Sequence, residues 1–196
     1  MRLSKTRQIL LGAAALLAFT FAPSAQAQFN LITNGGFEDG FSNWILTPGT
    51  FSFAGQNATF AQSGIGYANL ERTGSIGTLS QTISTVPGQT YSISFYLAND
   101  SGVAPNSFAA AFGPSGAPSQ FSIVNSPAFA YTNITFSTVA TTTSSVLQFR
   151  FQHDDDFFRL DTVTVVPEPS TNALMLLSGI GVVGFVYHRR RQSAQS

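Results

Sequence analysis

The sequence contains no cysteine in 196 residues. Disulfide staples, thiolate nucleophiles and Cys-ligated zinc are therefore excluded together. Lysine is absent between residues 28 and 166, where three arginines (Arg72, Arg150, Arg159) stand against eight acids, a net charge of −5. The balanced charge of the whole chain hides this, because the other basic residues sit at the two ends. A nucleic-acid binder needs positive charge to displace counterions from phosphates, so that class is set aside. Histidine is scarce too: His153 is the only one in this segment, which also lacks a G-x-S-x-G nucleophile motif. Little is left from which to assemble acid/base or nucleophilic catalysis. No stretch of ten or more residues between 28 and 166 shows a helical period.

The two ends carry transport signals. Arg2, Lys5 and Arg7 precede an apolar run from Ile9 to Phe21, and Ala25 and Ala27 form an A-x-A site. This is the pattern of a secretory signal peptide over residues 1–27, cut between Ala27 and Gln28. The run is shorter than the roughly 20 residues that a membrane span requires.

Between the ends, residues 28–166 are long enough for one domain with its own core. Ser, Thr, Gly and Phe are abundant and helix formers are sparse, which favours strands. In "TYSISFYLAND", Tyr91, Ile93, Phe95 and Leu97 share one face while Ser92, Ser94 and Tyr96 share the other. That alternation is a half-buried strand. "VLQFRFQ" places Leu147, Phe149 and Phe151 inward, and "YTNITFST" places Ile134 and Phe136 inward with Asn133 and Thr135 outward. Weaker strands are read at 51–60, 67–70, 77–84, 107–112 and 158–166. Turn residues separate them at "PGQT", "NDSG", "GPSGAPS" and "NSPA". Seven to nine short strands in this order predict an antiparallel β-sandwich. In the last strand Phe158, Leu160 and Thr162 have one parity and Val163 and Val165 the other, so a bulge or change of sheet is expected near Asp161.

Three stretches, "NLITNGGFEDGFSNWILT", "LSQTISTVPGQTYSISFYLAND" and "FFRLDTVTV", occur in order and resemble a galactose-binding-like, carbohydrate-binding-module-like jelly roll. The resemblance implies an all-β jelly-roll sandwich and a structural calcium held by a glutamate of the first motif and an aspartate of the last strand. On this chain those are Glu38 and Asp161, with Thr162 where a second aspartate is usual. Calcium accepts six to eight oxygen donors, backbone carbonyls among them. In such modules exposed aromatic rings stack on the sugar. Tyr67, Tyr96 and Tyr131 are the candidates, Tyr96 and Tyr131 because they lie on the polar parity of their strands, whereas Trp44 is read as core. The cluster "QHDDDFFRLD" is read as a solvated loop before the last strand, since consecutive residues of an extended chain point to opposite faces.

The chain ends in "VPEPSTNALMLLSGIGVVGFVYHRRRQSAQS". Thr171 to His188 is 18 uncharged residues, about 27 Å as a helix against a hydrocarbon core of about 30 Å. Arg189, Arg190 and Arg191 follow and hold that end on the cytoplasmic side. Pro167 and Pro169 stiffen the box around Glu168 into an extended peptide that a processing enzyme can grip. Box, span and arginine cluster at 167–191, before a polar tail at 192–196, resemble the PEP-CTERM sorting signal. That resemblance implies cleavage by a membrane-embedded exosortase in a Gram-negative bacterium and transient anchoring through one C-terminal transmembrane helix. The expectation is an exported, non-catalytic protein that binds extracellular polysaccharide at the cell surface or in the matrix. The alternatives are a structural biofilm protein without sugar binding, a permanently anchored surface protein, and a weak hydrolase.

Overall fold

The structure, a computed structural model, describes residues 29–47 and 51–169. The expected signal peptide with its Ala27/Gln28 junction, the expected C-terminal transmembrane helix, Arg189, Arg190, Arg191 and the tail lie outside the described residues. Among the described residues there is no helix, and eight strands pair antiparallel throughout. They are β1 (Ile45–Leu46), β2 (Phe53–Gln56), β3 (Gly66–Ser84), β4 (Thr90–Asn99), β5 (Asn106–Gly113), β6 (Phe121–Val124), β7 (Phe129–Val139) and β8 (Ser144–Pro167).

The long strands β3 and β8 decide the architecture. Each joins two segments read as separate strands from sequence, 67–70 with 77–84 and 146–152 with 158–166. Their pairing runs from Ala68↔Leu160 to Leu70↔Phe158, shifts at Arg72↔His153, and resumes from Gly77↔Phe151 to Ser84↔Ser144. The irregularities bend both strands between two layers. In the first layer β8 lies between β3 and β5, with β1 beyond β3 and β6 beyond β5. In the second it lies between β3 and β4, with β2 beyond β3 and β7 beyond β4.

Period-2 faces of the two layers meet in an aromatic core. Phe149 is fully buried and lies 5.1 Å from Phe95, 5.7 Å from Phe108 and 6.1 Å from Trp44, ring centre to ring centre. Edge-to-face and tilted pairs of this kind add stabilisation beyond area burial. Trp44 is core, as read, and its indole N–H donates to the Asn34 carbonyl at 3.0 Å.

The acidic stretch 152–157 is not a loop. It is strand at the crossing point of β8, and His153 is fully buried. His153 Nδ1 accepts the Asp156 N–H at 3.0 Å, so Nε2 carries the proton and faces Asn99 Oδ1 at 2.8 Å and the Ser101 carbonyl at 3.2 Å. Asn99 in turn donates to the carbonyls of Ser126 and Pro127. A satisfied buried network, rather than apolar alternation, holds the chain extended here.

The expected bulge is present. Ser94 pairs with Thr164 but Tyr96 with Asp161, which leaves one extra residue on β8, and Thr162 takes φ 52°. Such a φ is unusual for a β-branched residue. The bulge turns Val163 and Val165 into the core while Asp161 keeps the opposite face.

Candidate carbohydrate-binding face and carboxylate pair

The outer face of the second layer is built by cross-strand neighbours. Asn69 lies opposite both Phe53 and Arg159, Arg159 opposite Ala98, Asp161 opposite Tyr96, and Tyr96 opposite Asn133. Thr164, Ser94 and Thr135 form the next row, and Val166, Ser92 and Ser137 the one after. A loop over residues 57–65 folds across one end of this face. Its neck closes through the Asn57 N–H on the Ile65 carbonyl at 2.7 Å, and Asn57 Oδ1 accepts the Thr59 N–H.

Glu38 and Asp161, 123 positions apart in sequence, converge on that loop. Asp161 Oδ2 accepts the N–H groups of Gln62 at 2.8 Å and Ser63 at 3.0 Å, and Oδ1 accepts that of Thr162. Glu38 Oε1 accepts the N–H groups of Ile65 at 3.0 Å and Gly66 at 3.1 Å. The second half of the loop is thus held by both carboxylates, Asp161 at Gln62 and Ser63 and Glu38 at Ile65 and Gly66. Gly64 has φ +64°, and a Cβ there would lie 1.9 Å from Glu38 Oε1, so the grip requires glycine. Asp161 is fully buried, and desolvation holds its pKa above the ordinary value despite the three N–H donors. A Cβ at Gly36 would stand 3.8 Å from Asp161 Oδ1 and 3.9 Å from Glu38 Oε1, so both carboxylates border one small space.

The first motif reaches the last strand by backbone pairing. The Leu31 N–H donates to the Val165 carbonyl and the Val163 N–H to the Gly35 carbonyl, both at 2.9 Å. Asn30 Oδ1 accepts the Val165 N–H at 2.9 Å. This is how "NLITNGGFE" and "RLDTV" come together.

The three tyrosines fare differently. Tyr67 is only 6% exposed, which removes it as a stacking ring. Its ring lies on Gly55, where a Cβ would come within 2.3 Å of it, and Phe60 packs 6.2 Å away. Tyr96 is half-buried on the open part of the face, beside a polar strip in which Asn133 Nδ2 donates to Ser94 Oγ at 3.1 Å and Thr135 Oγ1 to Asn133 Oδ1 at 2.8 Å. Tyr131 sits at a second irregularity, where Leu97 pairs with Thr132 but Asn99 with Phe129. Its ring is half-buried, and its hydroxyl is enclosed without a hydrogen-bond partner. Burial, reinforced by the Asp161 charge, pushes the phenol pKa far up.

Two residues that sequence reasoning did not single out complete the face. The Arg159 guanidinium lies 5.5 Å from the ring centres of both Phe60 and Tyr131. Its Nε donates to Asp100 Oδ1 at 2.8 Å, so its charge is paired. Arg159 was legible as an outward position of the last strand, whereas nothing local marks Phe60. On the first layer, the hollow between Pro114, Ala117, Ala111, Val146 and Gln148 has a volume of 20 Å³, room for a water but not a sugar ring.

Comparison with known structures identifies the fold as that of carbohydrate-binding-module β-sandwiches. The TmCBM61 module, solved in complex with β-1,4-galactotriose, matches with a TM-score of 0.59 at 17% identity, over 71% of this chain and 99% of that one. The CBM22-1 xylan-binding domain of Paenibacillus barcinonensis Xyn10C matches with a TM-score of 0.51 at 16% identity, over 74% and 97%. A cleaved adhesin domain (K1) of the Lys-gingipain of Porphyromonas gingivalis W83 matches with a TM-score of 0.53 at 17% identity, over 68% and 96%. Comparison with curated proteins gives no match. Residues 165–191 match the PEP-CTERM protein-sorting motif. The protein therefore joins a sandwich with the fold of carbohydrate-binding modules to a PEP-CTERM sorting motif, and the motif implies export and membrane-associated sorting in a Gram-negative bacterium.

Proposed function

We propose that the sandwich is a non-catalytic glycan-binding module, displayed at the cell surface or in the extracellular matrix after exosortase processing. The observation that carries this reading is the open face of the second layer. There Tyr96 offers a ring beside the hydrogen-bonding strip Ser94, Asn133 and Thr135, with Tyr131 and Phe60 close by around Arg159. Flat apolar rings bordered by amide and hydroxyl groups suit a pyranose, which presents C–H groups on one face and hydroxyls at its edge. The segment's net charge is −5 and Arg159 is already paired with Asp100, which favours a neutral polymer over an acidic one. Two of the fold neighbours, one solved with β-1,4-galactotriose and one a xylan-binding domain, support the same class. Glu38 and Asp161 hold a structural Ca2+ in this reading, which keeps the 57–65 loop and the Phe60 ring in place.

Binding to arrayed neutral glycans and to the host's own exopolysaccharide tests the proposal. Tyr96→Ala should weaken binding by about tenfold, the worth of one aromatic contact, while the melting midpoint stays close to that of the parent chain. Absence of binding to every glycan, host polymer included, would overturn it in favour of a matrix protein that contacts other proteins.

A further inference from the structure

The sorting box is part of the folded sandwich. Strand β8 runs to Pro167, and the β4 register continues past it, with the Glu168 N–H donating to the Thr90 carbonyl at 2.9 Å. Thr90 and Glu168 thus form a hydrogen-bonded pair, and antiparallel alternation makes Tyr91↔Pro167 a non-hydrogen-bonded one. The N–H that Pro167 lacks would have pointed away from β4, so the first proline of the box fits the strand without cost. Gln89, from the "PGQT" turn, donates its side-chain amide to the Glu168 carbonyl and, at 2.9 Å, to that of Thr90. Ser137 of β7 donates to Glu168 Oε1 at 2.6 Å. The N–H, the carbonyl and the carboxylate of the one acid in the box are all occupied. Glu168 is half-buried, and only Pro169 is exposed.

We infer that Gln89, Thr90 and Ser137 form a seat that sequesters Glu168, so that exosortase engages the box only after the end of β8 peels from β4. This inference rests on the reading that exosortase processes this chain. On this inference the extended peptide that a processing enzyme can grip is available only in the peeled form. An enzyme that binds only the peeled form sees its substrate diluted by the peeled fraction, and its apparent affinity falls by that factor. The seat therefore ties processing to the state of the strand end: a fully docked sandwich is processed slowly, and a chain whose last strand is not yet docked is processed fast.

Two measurements on the full-length chain test this. Hydrogen exchange should show the Glu168 amide protected in the parent protein, and exchange at the rate of an unstructured peptide would overturn the seat. Processing is then followed in membranes containing the host exosortase, for the parent, for Gln89→Ala/Ser137→Ala, and for a chain with Gly-Ser-Gly-Ser inserted between Val166 and Pro167. The substituted residues are not core, and the insertion leaves box, span and arginines intact. Loss of two or three part-exposed hydrogen bonds should raise the cleavage rate by about tenfold, and the insertion should raise it at least as far. Equal rates in all three chains would overturn the gate. If every chain keeps residues 170–196, the processing reading falls and the gate with it, while a protected Glu168 amide would still establish the seat as a structural joint.

Discussion

Asp161→Ala is expected to release the loop that covers the outer face. The aspartate accepts three backbone N–H groups, two of them on the loop at Gln62 and Ser63. Hydrogen bonds to a charged acceptor contribute about 1.5–3 kcal/mol each. Two effects reduce the sum: desolvation already penalises this buried carboxylate, and the loop N–H groups regain water once the loop lifts. A net loss of about 3 kcal/mol follows, and a domain of this size should melt about 10 °C lower. Asp161→Asn separates the carboxylate's shape from its charge. In chelator it should melt between Asp161→Ala and the parent, because removing the charge removes its burial cost while the amide NH2 cannot accept the N–H that one carboxylate oxygen takes. Added Ca2+ should stabilise the parent by about 2.7 kcal/mol at a hundred times its dissociation constant and leave Asp161→Asn unmoved. The assay is thermal melting of residues 28–169 in chelator and across a Ca2+ series. If Asp161→Ala melts within a degree of the parent, the loop is not anchored there; if the parent is indifferent to Ca2+, no ion joins Glu38 and Asp161.

Two further outcomes follow from the same structure. Tyr131→Phe removes an enclosed hydroxyl that has no partner, so stability should hold or rise by up to about 1 kcal/mol, and glycan binding should persist if the ring does the stacking. A loss above that size in urea unfolding would mean that a bound water or ion satisfies the hydroxyl. Asp154 has its pKa lowered chiefly by the Gly74 N–H at 2.9 Å, with help from Gln152. A carboxylate depressed in the folded state contributes stability that is present above the unfolded aspartate value of about 3.9 and is lost as pH falls through the lower folded value. Asp154→Asn should therefore flatten the urea midpoint against pH only below about pH 4, and an unchanged acid limb would refute this.

The strands of the middle were legible because one wall of each faces a core, which writes a period of two into Tyr91–Leu97 and Leu147–Phe151. The bulge at Thr162 was legible for the same reason, as a change of parity between Leu160 and Val163. The continuity of β3 and β8 was not, because at 71–76 and 153–157 the chain is held by polar partners such as Asn99 and Asp156 rather than by apolar alternation. Strands β1 and β6, of two and four residues, also escaped, whereas β2, equally brief at four, fell within the reading at 51–60. The pairing of Glu38 with Asp161 came from motif resemblance, and the structure brings both carboxylates to the 57–65 loop. Tyr67 carried no sign of its burial, since the covering loop is fixed by Asp161, 94 positions away. Arg159 and Phe60 meet only through that loop.

Strand β8 is central in both layers and supplies Phe149, Phe151, Phe158, Leu160, Val163 and Val165 to the core. It is also the last strand of the sandwich to be made. Until residues 144–167 emerge, β3 has no central partner, β5 pairs only with β6 and β4 only with β7, so neither layer can close. Folding here is governed by contacts remote in sequence, which form late and slowly. The core therefore becomes complete only when the strand that leads into the sorting box takes its central place in both layers.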